Sequence, residues 1–229
     1  MEAMINQEEL TEIFSEKEDC VLERLFETCD PLAEDLMTYL QHGICVSNIA
    51  TLLARELNLP DSDCYEIAVA GVLHDIGKLK VSQYIYGRGE DVLEIEEMKY
   101  VRMHTTLGYN ILKDAGYKNT IMNMILYHHE NFDGTGYPKN LAGEQIPFEA
   151  RIIRVCDVFV ALISDRPYRK AFPVEVAIEM MIDEVKNFDM RIFLAFQRLT
   201  GSKEFWDTLK RIGYNMETKK LEEFLICEK

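Results

Sequence analysis

The residues best suited to chemistry are five histidines, His42, His74, His104, His128 and His129, and the chain has no others. One histidine on a helix is usually a packed or surface residue. Five on helices or helix ends, two of them adjacent and another followed directly by an aspartate, require a shared explanation. Asp75 follows Ala68, Val69, Ala70, Val72 and Leu73, and Asp157 is embedded in Ile152, Ile153, Val155, Cys156, Val158, Phe159 and Val160. An ionised carboxylate among such neighbours is costly unless it is paired or bound to a metal. For Asp157, a bridge to Arg154 three residues earlier is the plain alternative, but it leaves the histidines unexplained. Imidazole and carboxylate together suit iron, manganese, nickel or zinc. Seven candidate ligands exceed what one site can use while keeping a position open. They suit two divalent ions that share one bridging carboxylate. Such a pair, ~4 Å apart, generates hydroxide at neutral pH and steadies both the attacking and the leaving oxygen at phosphorus. The chemistry predicted is phosphoester hydrolysis.

The elements that must position these residues read as helices almost throughout. Residues 8–28 carry Leu10, Ile13, Val21, Leu22, Leu25 and Phe26 at helical spacing. Asp30-Pro31 caps a long helix that Asn58 and Pro60 stop. A second helix starts at Asp61 and ends near Gly77. Residues 79–92, with Gly87 and Gly89, read as a surface loop. Helices follow over 94–113 and 118–129. The glycine- and proline-rich stretch 130–147 is irregular, and helices resume over 148–164, 174–187 and 189–199, with two weaker ones beyond. No strand alternation stands out. The fold class predicted is all-α: a helical bundle over 31–200, with a helical N-terminal extension (1–30) and a helical C-terminal tail (201–229). Homodimerisation or docking to a signalling protein are the partner roles open to these appendages.

Composition narrows the function further. Of 229 residues 48% are hydrophobic, enough for a substantial core. The balance of 25 basic against 40 acidic residues, a net charge of −15, argues against a DNA or RNA polymer as partner. An anionic substrate then needs a local positive centre, from metals or from the cluster Arg166, Arg169 and Lys170. The N-terminus is acidic, which does not fit a secretory signal, and no apolar run reaches the ~18 residues of a membrane span. Six cysteines without a CxxC pair read as reduced thiols, and the expected location is cytoplasmic.

The run HDIGK (74–78), then His104, HHENFDGTGYP (128–138), ARIIRVCDVF (150–159) and DRPYRKA (165–171) resembles the HD-GYP family of HD-domain phosphohydrolases. The likeness extends from about His42 to Phe196. It implies hydrolysis of cyclic di-GMP to pGpG or GMP, with cyclic GMP-AMP as the competing substrate. By position it implies that His42, His74, Asp75 and Asp157 hold one metal. Asp75 would bridge to a second, completed by His104, His128 and His129. Iron or manganese come first for both, then nickel or zinc. Asp75 and Lys78 would be catalytic, and Lys78, Arg166 and Arg169 would meet substrate phosphate beside a wall formed by Gly136, Tyr137 and Pro138. Val160 and Thr38 stand where many relatives carry acids, and the 79–92 loop departs from the family's usual version. The alternative reading is a module that keeps the pocket, binds a cyclic dinucleotide and signals through a protein partner. A di-iron oxygenase is a third, disfavoured by the GYP loop and Arg166.

Overall fold

The structure, a computed structural model, describes residues 33–85, 99, 101–166 and 169–212, without the side chains of 33–38 and 82–85. The segment 8–28, Cys20, Cys29 and Cys227, and the last stretch of the tail lie outside the described residues, as does the side chain of Thr38.

Helix α1 (Ala33–Glu56) ends because Asn58 adopts φ 58°, a left-handed turn that asparagine tolerates, and the Leu59 N–H reaches back to the Ala54 carbonyl. Pro60 then opens α2 (Asp61–Leu73), which is buried from Ile67 to Leu73. The two helices cross tightly where Gly43 faces Val72 and Gly71 faces Ser47. A Cβ on Gly71 would stand 2.6 Å from the Ser47 Cα, so a larger residue would push the helices apart. This crossing puts His42 and His74 beside each other, with ring centroids 5.3 Å apart.

Helix α2 stops four residues short of Gly77, and His74–Gly77 form a turn. The segment expected as a loop instead opens with helix α3 (Lys78–Ile85). Its weak periodicity is overridden by tertiary burial: Leu79 packs with Ile76 and Ile111 against Tyr39 and Leu40. Gly87 and Gly89 lie outside the described residues. Helices α4 (His104–Asp114) and α5 (Asn119–Tyr127) follow, and the irregular stretch after them contains a 3-10 turn at Gly143–Gln145.

Helix α6 (Phe148–Ile163) runs through the middle of the molecule. Helix α7 (Val174–Asp183) is shorter than its apolar pattern predicts, since a separate 3-10 turn takes over at Val185–Asn187. Asp189 then caps α8 (Met190–Thr200) by accepting the Arg191 N–H, and Ser202 caps α9 (Lys203–Arg211) by accepting the Phe205 N–H. Phe205 and Leu209 of α9 belong to the main core, where Phe159, Phe196 and Phe205 pack ring against ring. Among the described residues there is no strand, only a bridge between Arg166 and Arg169. The molecule is all-α. No helix among the described residues is long and apolar enough to cross a membrane.

Candidate metal centre

The structure brings all seven predicted ligands into one buried cluster. His42 comes from α1, His74 and Asp75 from the turn after α2, and His104 from the start of α4. His128 and His129 follow α5, and Asp157 lies mid-way along α6. Three groups form, each with donor atoms within 4.8 Å of one another. They are Asp75 with His104, His128 and His129, then His42 with His74 and Asp75, and His74 with His128 and Asp157. Asp75, His74 and His128 each belong to two of them, and of the three only the carboxylate has two oxygens to share.

Three rings are aimed by the backbone. The Nδ1 atoms of His74, His104 and His128 sit 2.8, 2.6 and 2.7 Å from the carbonyls of Gly71, Val101 and Ile125, each three residues earlier. A carbonyl only accepts, so each Nδ1 carries hydrogen and each Nε2 turns inward. The Nε2 atoms of His104 and His128 then face each other at 3.3 Å. His104 Nε2 is also 3.4 Å from Asp75 Oδ1, which is buried without a hydrogen-bond partner, as is His74 Nε2. Lone pairs converging in a buried space repel unless a cation lies among them, so the donor set fits a divalent metal. On the other side His42 Nε2 lies 3.0 Å from Asp157 Oδ1, and His74 Nε2 lies 3.5 Å from the same oxygen.

The electrostatics point the same way. Burial holds His104 below its ordinary pKa, His128 well below it and His129 down to about 3, so all three stay neutral and able to ligate. His74 is the exception: burial pulls it the same way, but Asp75 and Asp157 outweigh it and hold its pKa at about 10, so without a metal its Nε2 carries a proton that a bound cation would displace. Burial also opposes charge on Asp75. Lys78, whose Nζ lies 2.6 Å from Asp75 Oδ2, and His74 overcome it, keeping that carboxyl well below the usual range. Asp157 stays ionised through His42 and His74 in the same manner.

Arg154 does not bridge to Asp157. Its Nη2 donates to Asn131 Oδ1 at 2.8 Å, and its Nη1 is 3.4 Å from His129 Nδ1. Val160 is packed into the main core. Tyr137 stacks on His129, with centroids 4.8 Å apart and planes at 28°, which makes it a wall of the cluster. Arg169 is differently engaged: Nη2 donates to the Ala161 carbonyl and Nη1 to those of Leu162 and Lys170, which caps the end of α6. Lys170 pairs with Asp165, and Arg166 meets Arg169 through the backbone.

One residue without an assigned role in the sequence reading is central here. Glu130 is buried, and its carboxylate accepts the Lys139 N–H at 2.6 Å and the Leu141 N–H at 3.1 Å. It closes the 130–147 loop, together with the Tyr137 N–H donating to the His129 carbonyl. Gly136 fits this closure because a Cβ there would stand 2.5 Å from the Glu130 Cα. An acid directly after the histidine pair was the only signal. Cys156 and Cys64 are buried thiols, and burial pushes Cys45 up to about 11, so none is poised to react.

The HD domain family model matches residues 17–192. The chain is 40% identical over 168 residues to a cyclic di-GMP phosphodiesterase of Pseudomonas aeruginosa, covering 73% of this chain and 40% of that protein. It is 35% identical over 158 residues to a 3'3'-cGAMP-specific phosphodiesterase of Vibrio cholerae, covering 69% of this chain and 34% of that one. The chain therefore spans well under half the length of these relatives. Among solved structures, an HDG"Y"P protein from Bdellovibrio bacteriovorus superposes with a TM-score of 0.59 at 20% identity, over 83% of this chain and 64% of the other.

Proposed function

This chain belongs to the HD domain family, in its HD-GYP branch, and we propose that it is a metal-dependent phosphodiesterase that opens cyclic di-GMP. The observation carrying this reading is the meeting of His104 Nε2 and His128 Nε2 at 3.3 Å beside the unpartnered Asp75 Oδ1, an arrangement that calls for a cation. Asp75 is shared by two donor groups. That sharing supports two metals: one held by His42, His74, Asp75 and Asp157, the other by Asp75, His104, His128 and His129. The imidazole share of both sets favours a transition ion such as iron over magnesium, and the carboxylates suit manganese as well.

When bound, the metals supply Lewis acidity, which makes water more acidic and draws charge from the phosphoryl oxygens. The chain's own residues do the rest. Lys78, in contact with Asp75, is the ammonium nearest the shared carboxylate and neutralises charge developing on the phosphate. Tyr137 and the loop closed by Glu130 wall off the side of His129. Water adds to phosphorus, the 3′ oxygen leaves with a proton, and the ring opens to linear pGpG; a second cut gives GMP. Buried reduced thiols are in keeping with a cytoplasmic setting.

Protein purified without oxygen should carry about two equivalents of iron or manganese and convert cyclic di-GMP to pGpG or GMP. No turnover of any cyclic dinucleotide by such a sample would overturn the reading.

A further inference from the structure

Arg102, Arg154 and Arg169 differ in what their guanidinium groups already hold. Arg169 is consumed by three backbone carbonyls and lies 4.4 Å from the Phe172 ring centroid. Arg154 is held by Asn131 and His129. Arg102 is exposed, makes no ion pair among the described residues, and sits 5.2 Å from the centroid of the Tyr137 ring. That ring stacks on His129, and Arg102 is two residues ahead of His104. A guanidinium thus sits at the edge of the donor cluster in a cation–π contact, with its N–H fork uncommitted among the described residues.

A cyclic dinucleotide carries two phosphodiester anions in one ring. The protein's net charge of −15 repels it, so the diester not undergoing attack needs a local cation. The planar fork of arginine suits two oxygens of one phosphate better than an ammonium does.

We propose that Arg102 is a substrate-anchoring residue: its guanidinium, seated on Tyr137 beside His104 and His129, takes the second phosphodiester of a cyclic dinucleotide while the first lies at the donor cluster. The inference rests on the phosphodiesterase reading above. It assigns to Arg102 the phosphate contact for which Arg169 has no uncommitted geometry.

The test compares the wild type with Arg102→Gln and Arg102→Lys on cyclic di-GMP and on bis(4-nitrophenyl) phosphate, which has one diester only. For Arg102→Gln the expected result is a KM for cyclic di-GMP raised about tenfold, as for loss of a charge-assisted hydrogen bond. The loss on the small diester should be under about threefold, and lysine should restore part of the KM. Calorimetric titration of cyclic di-GMP onto metal-replete protein reads the same anchor without turnover, and Arg102→Gln should weaken binding by a similar factor. Equal binding by wild type and Arg102→Gln, no binding by either, or equal losses on both substrates would overturn the inference. Absence of turnover with the tenfold binding difference intact would overturn only the hydrolase reading.

Discussion

The Lys78 ammonium lies 2.6 Å from Asp75 Oδ2, on the same carboxylate whose other oxygen faces His104 Nε2 at 3.4 Å. One carboxylate therefore joins a lysine to the histidine cluster. Replacing Lys78 by methionine removes the charge while keeping the apolar stem. Turnover should fall about 10²–10³-fold, with metal content retained, as measured by elemental analysis alongside initial rates. A variant that lost its metal in proportion to its activity would assign Lys78 to holding the site, not to the reaction.

The shared carboxylate makes metal stoichiometry a sharp observable. In the proposed allocation Asp157 completes only the site of His42, His74 and Asp75, so Asp157→Ala should weaken that site, leave Asp75, His104, His128 and His129 intact, and lower bound metal from about two equivalents toward one. Asp75→Ala removes the ligand common to both proposed sites and should lose nearly all of it. If Asp157→Ala retained two equivalents, the allocation of ligands proposed here would be wrong.

The metal-stripped protein should be most stable near neutral pH. In the fold, His129 is held at about 3 and His128 well below its ordinary value, both chiefly by burial. Below about pH 6.5 the unfolded chain takes up protons that the fold refuses, so stability falls as the pH drops toward 3, by up to about 1.4 kcal/mol per unit for each histidine. His74 has the opposite sign: with its folded pKa at about 10, its contribution is complete below about 6.5 and is lost as the pH rises to 10. Urea unfolding of stripped protein between pH 4 and 10 would reveal the maximum, and a curve that rises steadily to pH 10 would contradict it.

Glu130 is expected to hold the loop. Glu130→Ala removes the buried acceptor of the Lys139 and Leu141 N–H groups, which should cost about 1 kcal/mol. Their amides should exchange with solvent faster than in the wild type, while those of the α2 core stay protected. Unchanged exchange at Lys139 and Leu141 would mean that other contacts close the loop.

The parts of this molecule legible in its sequence are those where residue type alone is distinctive. The helical bundle shows in apolar spacing, and the histidines with Asp75 and Asp157 stand out because charge and imidazole are conspicuous inside apolar runs. Helix α3 is hidden because its burial depends on Ile76 and Ile111, which are contributed by other segments. The basic run at Arg166, Arg169 and Lys170 shows charge but not commitment. Three carbonyls absorb the Arg169 guanidinium and Asp165 absorbs Lys170, facts that only the folded backbone reveals. Arg102 is the converse, an ordinary surface residue in the sequence until Tyr137 folds beside it.

The three imidazoles tied to carbonyls three residues behind them have a consequence for ion selection. Their rotors are locked when the helices form, so capture of an ion freezes little further motion. An ion entering there would meet a stiff chelator, whose opening widens little to suit a large guest. Small first-row ions should therefore be preferred to calcium, which seeks more oxygen ligands at longer range, and metal loading should raise the melting temperature with little change in helical content.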